Sequence, residues 1–139
     1  MDPDLELQGA IVTALKADPV LQTLIGQRVY DQPPDNPQFP YVTYGPTDSI
    51  EDDADCIQTQ DIFVQLDAWS RAVGYPEVKK IADAVRDALN DRDLPIQVNA
   101  LVVLQHRQTR TLRDPDGLTS HAAISLEAFI ERRPAPVFP

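Results

Sequence analysis

The residues with the most chemistry to offer flank a single turn. His106, Arg107, Arg110 and Arg113 precede a Pro-Asp-Gly sequence, and Ser120 and His121 follow it. Serine and histidine beside Asp114 and Asp116 are the residue types of a hydrolytic triad, in which a carboxylate orients an imidazole that takes the serine proton. Their spacing argues against that use. Neighbours on a strand point to opposite faces, so Ser120 has no easy path for its proton to His121. There is no G-x-S-x-G elbow, and only two histidines are present. The acidic run Glu51, Asp52, Asp53 and Asp55 offers oxygen atoms to a hard cation. An EF-hand loop, however, needs alternating carboxylates, a central glycine and a late bidentate glutamate, and the run lacks that order. Five scattered glycines make neither a phosphate cradle nor a dinucleotide fingerprint. Trp69 and the tyrosines are not set beside lysines, as a platform for single-stranded nucleic acid would require. Cys56, the single cysteine, excludes an internal disulfide and multi-cysteine metal motifs. The expectation is a non-enzyme with no catalytic residue, no metal and no cofactor.

Electrostatic recognition remains. Arg107, Arg110 and Arg113 have the chemistry for charge-assisted bonds to acidic residues of another subunit, against the plainer reading of solvated strand residues. The charge distribution supports a self-association role. The 139 residues carry a net charge of −10, which disfavours general affinity for nucleic acid. Between Arg28 and Arg71 there is no lysine or arginine, while Asp31, Asp35, Asp48, Glu51, Asp52, Asp53, Asp55, Asp61 and Asp67 fall in that interval. Arginines return in HRQTRTLRD and ERRP. A molecule with one acidic and one basic region can pair head to tail with its own copies.

These groups must be held by a fold of one domain, large enough to bury a core without disulfides or metal. No segment approaches the ~20 apolar residues of a membrane span, and the N-terminus has no basic region followed by an apolar core, so the expected site of synthesis and residence is a cytoplasm. Leu7, Ile11 and Leu15 have helical spacing, with Asp2 or Asp4 as the cap. Asp18-Pro19 ends that helix and starts a second, which Gly26 stops. DQPPDNPQFP, with four prolines in ten residues, is a loop. YVTYG is a short strand, GPTDSIEDDADCIQTQ a polar loop, and DIFVQLDAW a strand with one wholly apolar face. In YPEVKKIADAVRDALND, Val78, Ile81, Ala82, Val85 and Leu89 form the buried stripe of a helix. On its exposed face, Lys79 with Asp83 and Asp83 with Arg86 are spaced to pair. Two strands joined by RDPDG follow, the second with Ala122, Ile124, Leu126, Ala128 and Ile130 on one face. The predicted class is α+β: a small, mainly antiparallel sheet with helices packed on one face, a single-domain sandwich over residues 1–131 and a Pro-rich tail over 132–139.

In this order, FPYVTYG, QDIFVQLDAWSR, EVKKIADAVRDAL and above all RTLRDPDGLTSHAAISLEAFIE resemble the tail terminator, or tail completion, proteins of long-tailed phages and gene transfer agents. The resemblance covers roughly residues 5–131. It implies a small α+β subunit, assembled in the bacterial cytoplasm, that forms a homo-hexameric ring at the neck of the mature particle. Such a ring caps the head-proximal end of the tail tube and ends its growth. It also meets the head-tail connector or stopper protein and lets double-stranded DNA pass through its channel without sequence-specific binding. A membrane has no part in this role, and the family supplies no catalytic residues. On this reading Arg107, Arg110 and Arg113 serve a subunit interface, and Glu51, Asp52, Asp53 and Asp55 face the channel or a partner ring. For Phe138, in the tail, two expectations stand side by side: it docks on a neighbour, or the tail is disordered and its deletion changes nothing. The rival is another neck or head-completion adaptor acting as a monomeric or differently assembled binding module.

Overall fold

The computed structural model describes residues 1–53 and 56–134. The chain runs α1 (Pro3–Ala17), α2 (Pro19–Ile25), β1 (Val29–Tyr30), β2 (Tyr41–Glu51), β3 (Thr59–Ser70), α3 (Pro76–Leu89), β4 (Ala100–Arg113) and β5 (Ser120–Glu131). Asp2 caps α1 by accepting from Leu5 N at 3.2 Å, and Asp18 caps α2 by accepting from Leu21 N at 3.0 Å. Each leaves the proline at the first helical position, where no N–H is missed. Asp4, the other candidate cap, instead accepts from Thr47 Oγ1 at 2.7 Å and ties α1 to β2.

The five strands lie in the order β1-β2-β3-β5-β4. All adjacent pairs are antiparallel except β1 with β2, where only Val29 and Tyr30 pair in parallel. Alternation sorts the sheet into two faces. Ile62, Val64, Leu66 and Ala68 of β3 and Ala122, Ile124, Leu126, Ala128 and Ile130 of β5 are all buried on one face. Against it pack α3, through Val78, Ile81, Val85 and Leu89, and α1 beside β1 and β2, while α2 packs on α3 and α1. Each of the valine, leucine and isoleucine side chains adds about 1.5–3 kcal/mol by leaving water. Among the described residues the helices cover one face of the sheet only.

Two local expectations give way to tertiary structure. β2 continues to Glu51, where the sequence reads as loop after Gly45. The register shifts between Tyr44 and Thr47, and Pro46 sits in that irregularity, where its missing N–H breaks no ladder bond. Gly45 is required there: a Cβ would stand 2.7 Å from both Gln65 O and Asp67 Oδ2. On α3, Arg86 pairs with its neighbour Asp87 at 3.0 Å and Lys79 lies over the Tyr75 ring, so the ion pairs expected through Asp83 do not form. Exposed partners on a helix exchange at almost no cost, and spacing alone does not select among them.

Candidate assembly surface

The turn between β4 and β5 is built as its sequence requires. Gly117 N donates to Asp114 O at 3.0 Å, closing a four-residue turn with Pro115 second and Gly117, at φ +72°, last. Asp116 rigidifies it by accepting from Leu118 N, Thr119 N and Thr119 Oγ1, bonds that hold its carboxyl below the usual range. Ser120 and His121 then diverge. Ser120 Oγ, on the helix side, donates to Gly74 O at 3.2 Å. His121, on the open side, lies on Trp69 with ring centroids 4.0 Å apart and contacts Asp67 Oδ1 at 2.6 Å. The two share no bond.

The three arginines have different positions. A register shift between His106 and Gln108 inserts an extra residue, which turns Arg107 onto the open face. There its Nε donates to Glu127 Oε1 at 2.7 Å, so Arg107 is engaged within its own subunit. Arg110, opposite Ala123, shares the open face and is exposed. Arg113, opposite the buried Ser120, points to the helix side and lies 4.7 Å above the Tyr75 ring. His106 is bonded to Asn90 and Thr109; burial and then the Arg86 charge push its imidazole below its ordinary value.

Of the acidic run, Glu51, Asp52 and Asp53 are exposed at the far end of β2, and Asp55 lies outside the described residues. Asp52 N and the Asp53 carboxylate both bond Thr59, at 2.9 and 3.2 Å, so the run caps the β2–β3 hairpin. Among the described residues no group of three or more histidines, cysteines and carboxylates is placed to hold a metal. Phe138 also lies outside the described residues.

The open face holds two clusters that sequence reasoning missed. The first is a line of rings, Tyr41, Trp69 and His121, extended by Phe39 and Tyr30. The second is the carboxyl pair Asp61 and Glu127. Asp61 Oδ1 is buried without a donor, and two carboxylates can bond each other only if one carries a proton. Burial first, and Glu127 second, push Asp61 up to about 6. Both clusters join residues of β3 and β5 that lie more than fifty positions apart, so only the register brings them together.

The sheet's edges complete the surface. β1 covers β2 only at Val42 and Thr43, leaving the outer edge of residues 47–51 without a strand partner among the described residues. At the opposite edge, Asp91 N and Asn90 Oδ1 occupy Leu104 O and His106 N, but no described strand pairs with the outer edge of residues 108–113. One free edge carries Asp48 and Glu51, and the other carries Arg110 and Arg113.

Among the described residues, then, the sheet has helices behind one face and two unpaired edge segments of opposite charge. The chain belongs to the family described as Tail completion protein gp17, whose profile matches residues 9–131. It is a structural tail component. A chain from a solved structure described as the virion of a native gene transfer agent particle is 29% identical, with a TM-score of 0.84, and the match covers 90% of this chain and 94% of that one. No curated protein matches the sequence.

Proposed function

We propose that six copies of this chain close into a ring that caps the head-proximal end of a tail tube, ends its polymerisation and joins it to the head connector, with DNA passing through. The observation that carries this reading is the pair of free, oppositely charged sheet edges. Unpaired edges attract another strand, and here each edge repels its own kind. β2 and β4 run in opposite directions across the sheet, so β4 of one copy can extend the sheet at β2 of the next as an antiparallel pair. Asp48 and Arg110 would then share the open face across the joint. The free halves are diagonal: residues 47–51 are level with residues 101–106, and residues 108–113 with residues 41–44. Each joint is therefore staggered along the strands, and staggering is what lets a sheet close on itself. Such contacts are head to tail, the kind that makes rings when the rotation closes.

The acidic tip, Glu51, Asp52, Asp53 and Asp55, faces the channel or an adjoining ring. Carboxylates cannot replace the counterions of DNA, so an acidic wall lets the duplex slide. The partners on this reading are the tail tube protein on one side and the connector or stopper on the other, at the neck of the mature particle.

Native mass spectrometry over a wide concentration range, with negative-stain images of the same sample and of the protein mixed with purified tail tubes, tests this. A six-subunit species, or six-fold density on tube ends, is expected. A chain that stays monomeric even on tubes would instead be an adaptor.

A further inference from the structure

We propose that the guanidinium of Arg110 crosses the joint between two copies and binds the Asp61–Glu127 carboxyl pair of the neighbour, supplying the positive charge that a shared proton supplies in the free subunit. The inference rests on the edge-to-edge reading above and names the contact that holds that joint.

The carboxyl pair is one cation short. Arg107 alone serves it, with Nε and Nη2 both 2.7 Å from Glu127 Oε1. The Glu127 side chain is only 12% exposed, and Asp61 Oδ1 is buried with no donor among the described residues. β2 and β5 add Asp48, Asp52 and Glu131 to this face, all acidic, and Arg133 is spent on Glu131 at 3.6 Å. With both carboxyls ionised the site carries uncompensated negative charge. Burial, and then Glu127, accordingly hold Asp61 up at about 6 in the free subunit.

Register points to the partner. Side chains keep to one face across a joint only in alternate registers, because a one-residue slip reverses every side chain. Among these, pairing residues 47–51 with residues 109–113 of the next copy uses strand alone. A slip of two either way draws in Arg107, at the bulge, or Asp114 and Pro115, past the end of β4. Antiparallel pairing then sets Arg110 opposite Ile50, and Ile50 is opposite Asp61 within its own subunit. Two strand spacings, roughly 10 Å, separate the backbones of Arg110 and Asp61. An extended arginine and an aspartate side chain cover that span together. Ile50, 54% exposed, lies between them and beds the methylenes of the arginine. One contact thus satisfies a carboxyl pair short of a donor, an exposed isoleucine, and an arginine with no bonded partner among the described residues.

A bound guanidinium favours the ionised pair, so the joined pair gives up its proton at a lower pH than the free pair. Association therefore releases a proton. It strengthens as pH rises towards about 6, by up to about tenfold per pH unit at each joint, and is level above that.

The test follows assembly of the full chain and of Asp61→Asn from pH 5 to pH 8, by native mass spectrometry and sedimentation, with and without purified tail tubes. The parent is expected to show the rise between pH 5 and pH 6. Asp61→Asn, although the more stable monomer at neutral pH, is expected to assemble about tenfold more weakly at pH 7 and to lose that rise. A double-mutant cycle with Arg110→Gln checks the pairing: each substitution weakens assembly, and the two together cost no more than the larger alone. Parental assembly by Asp61→Asn, or additive costs, overturns the contact and leaves the ring standing. Assemblies of another number that still weaken in Asp61→Asn keep the contact and overturn the six-membered ring. A parent that is monomeric at every pH, on tubes as well, overturns both.

Discussion

Arg110 and Arg113, three residues apart on β4, stand on opposite faces of the sheet: Arg110 is opposite Ala123 on the open side, while Arg113 lies 4.7 Å above the Tyr75 ring on the helix side. The first arginine has no bonded partner among the described residues and is available to a neighbour. The second already contributes to its own subunit, where an exposed guanidinium over the half-buried Tyr75 ring adds about 0.5–1 kcal/mol.

Charge reversal should therefore separate the two. Arg110→Glu is expected to abolish ring formation at concentrations where the parent assembles, with a melting midpoint unchanged because surface substitutions fall within about 0.5 kcal/mol. Arg113→Glu should weaken assembly and also lower the monomer's stability by about 1 kcal/mol. Native mass spectrometry and thermal melts of both variants check this. Unaltered assembly in Arg110→Glu would return that residue to the solvent.

The Asp61–Glu127 pair predicts a pH dependence of known sign. Asp61 is raised in the fold to about 6, so the folded chain keeps a proton that the unfolded chain loses first. Stability from this site is full below the ordinary carboxylate range and is lost as pH rises to about 6. Asp61→Asn should remove that loss, raising stability at pH 7 by the order of 1–2 kcal/mol, since one pKa unit is worth about 1.4. Denaturant melts from pH 4 to pH 7 measure it. Parallel profiles for the two proteins would show that the pair does not share a proton.

Glu6 has the opposite sign. Burial raises its carboxyl, but the bonds from Val98 N, Asn99 N and Gln97 N outweigh burial and hold it below the ordinary value. Its stabilisation is present above the unfolded carboxylate range and lost as pH falls through the lowered value. Glu6→Gln keeps the shape and removes the charge, at an expected cost of about 1–2 kcal/mol at pH 7 that shrinks in acid. A constant deficit at every pH would mean that shape, not charge, matters there.

Gly45→Ala tests how the open face is held. Its methyl group would stand 2.7 Å from Gln65 O and Asp67 Oδ2, so β2 or Asp67 must shift, at about 1–3 kcal/mol. Asp67 holds His121 against Trp69, the only tryptophan of the chain, so fluorescence should change together with the melting midpoint. A destabilised variant with parental emission would place the strain in the backbone rather than in the Asp67 contact.

Pattern alone carried the order of the elements, the buried stripe of α3 and the alternating core faces of β3 and β5, because helical and strand periodicities are local and the hydrophobic effect acts on them directly. The cap at Asp18 and the turn at Pro115 and Gly117 were also readable, since their chemistry is complete within four or five residues, whereas Asp2 and Asp4 were equal candidates at α1 until the Thr47 contact of Asp4 was known. The polarity of the chain, acidic before Arg71 and arginine-rich near residue 110, was plain too.

What only the tertiary structure decided depends on register and bulges. An irregularity at residues 107–108 turned Arg107 into a partner of its own Glu127, and another beside Gly45 prolonged β2 into a segment that reads as loop. The carboxyl pair, the Trp69–His121 stack and the free edges each require knowing which strand lies beside which. Side-chain direction on a strand reverses with every residue, so a one-residue slip moves a group to the other face. No local pattern fixes that slip; it is set by the packed core as a whole.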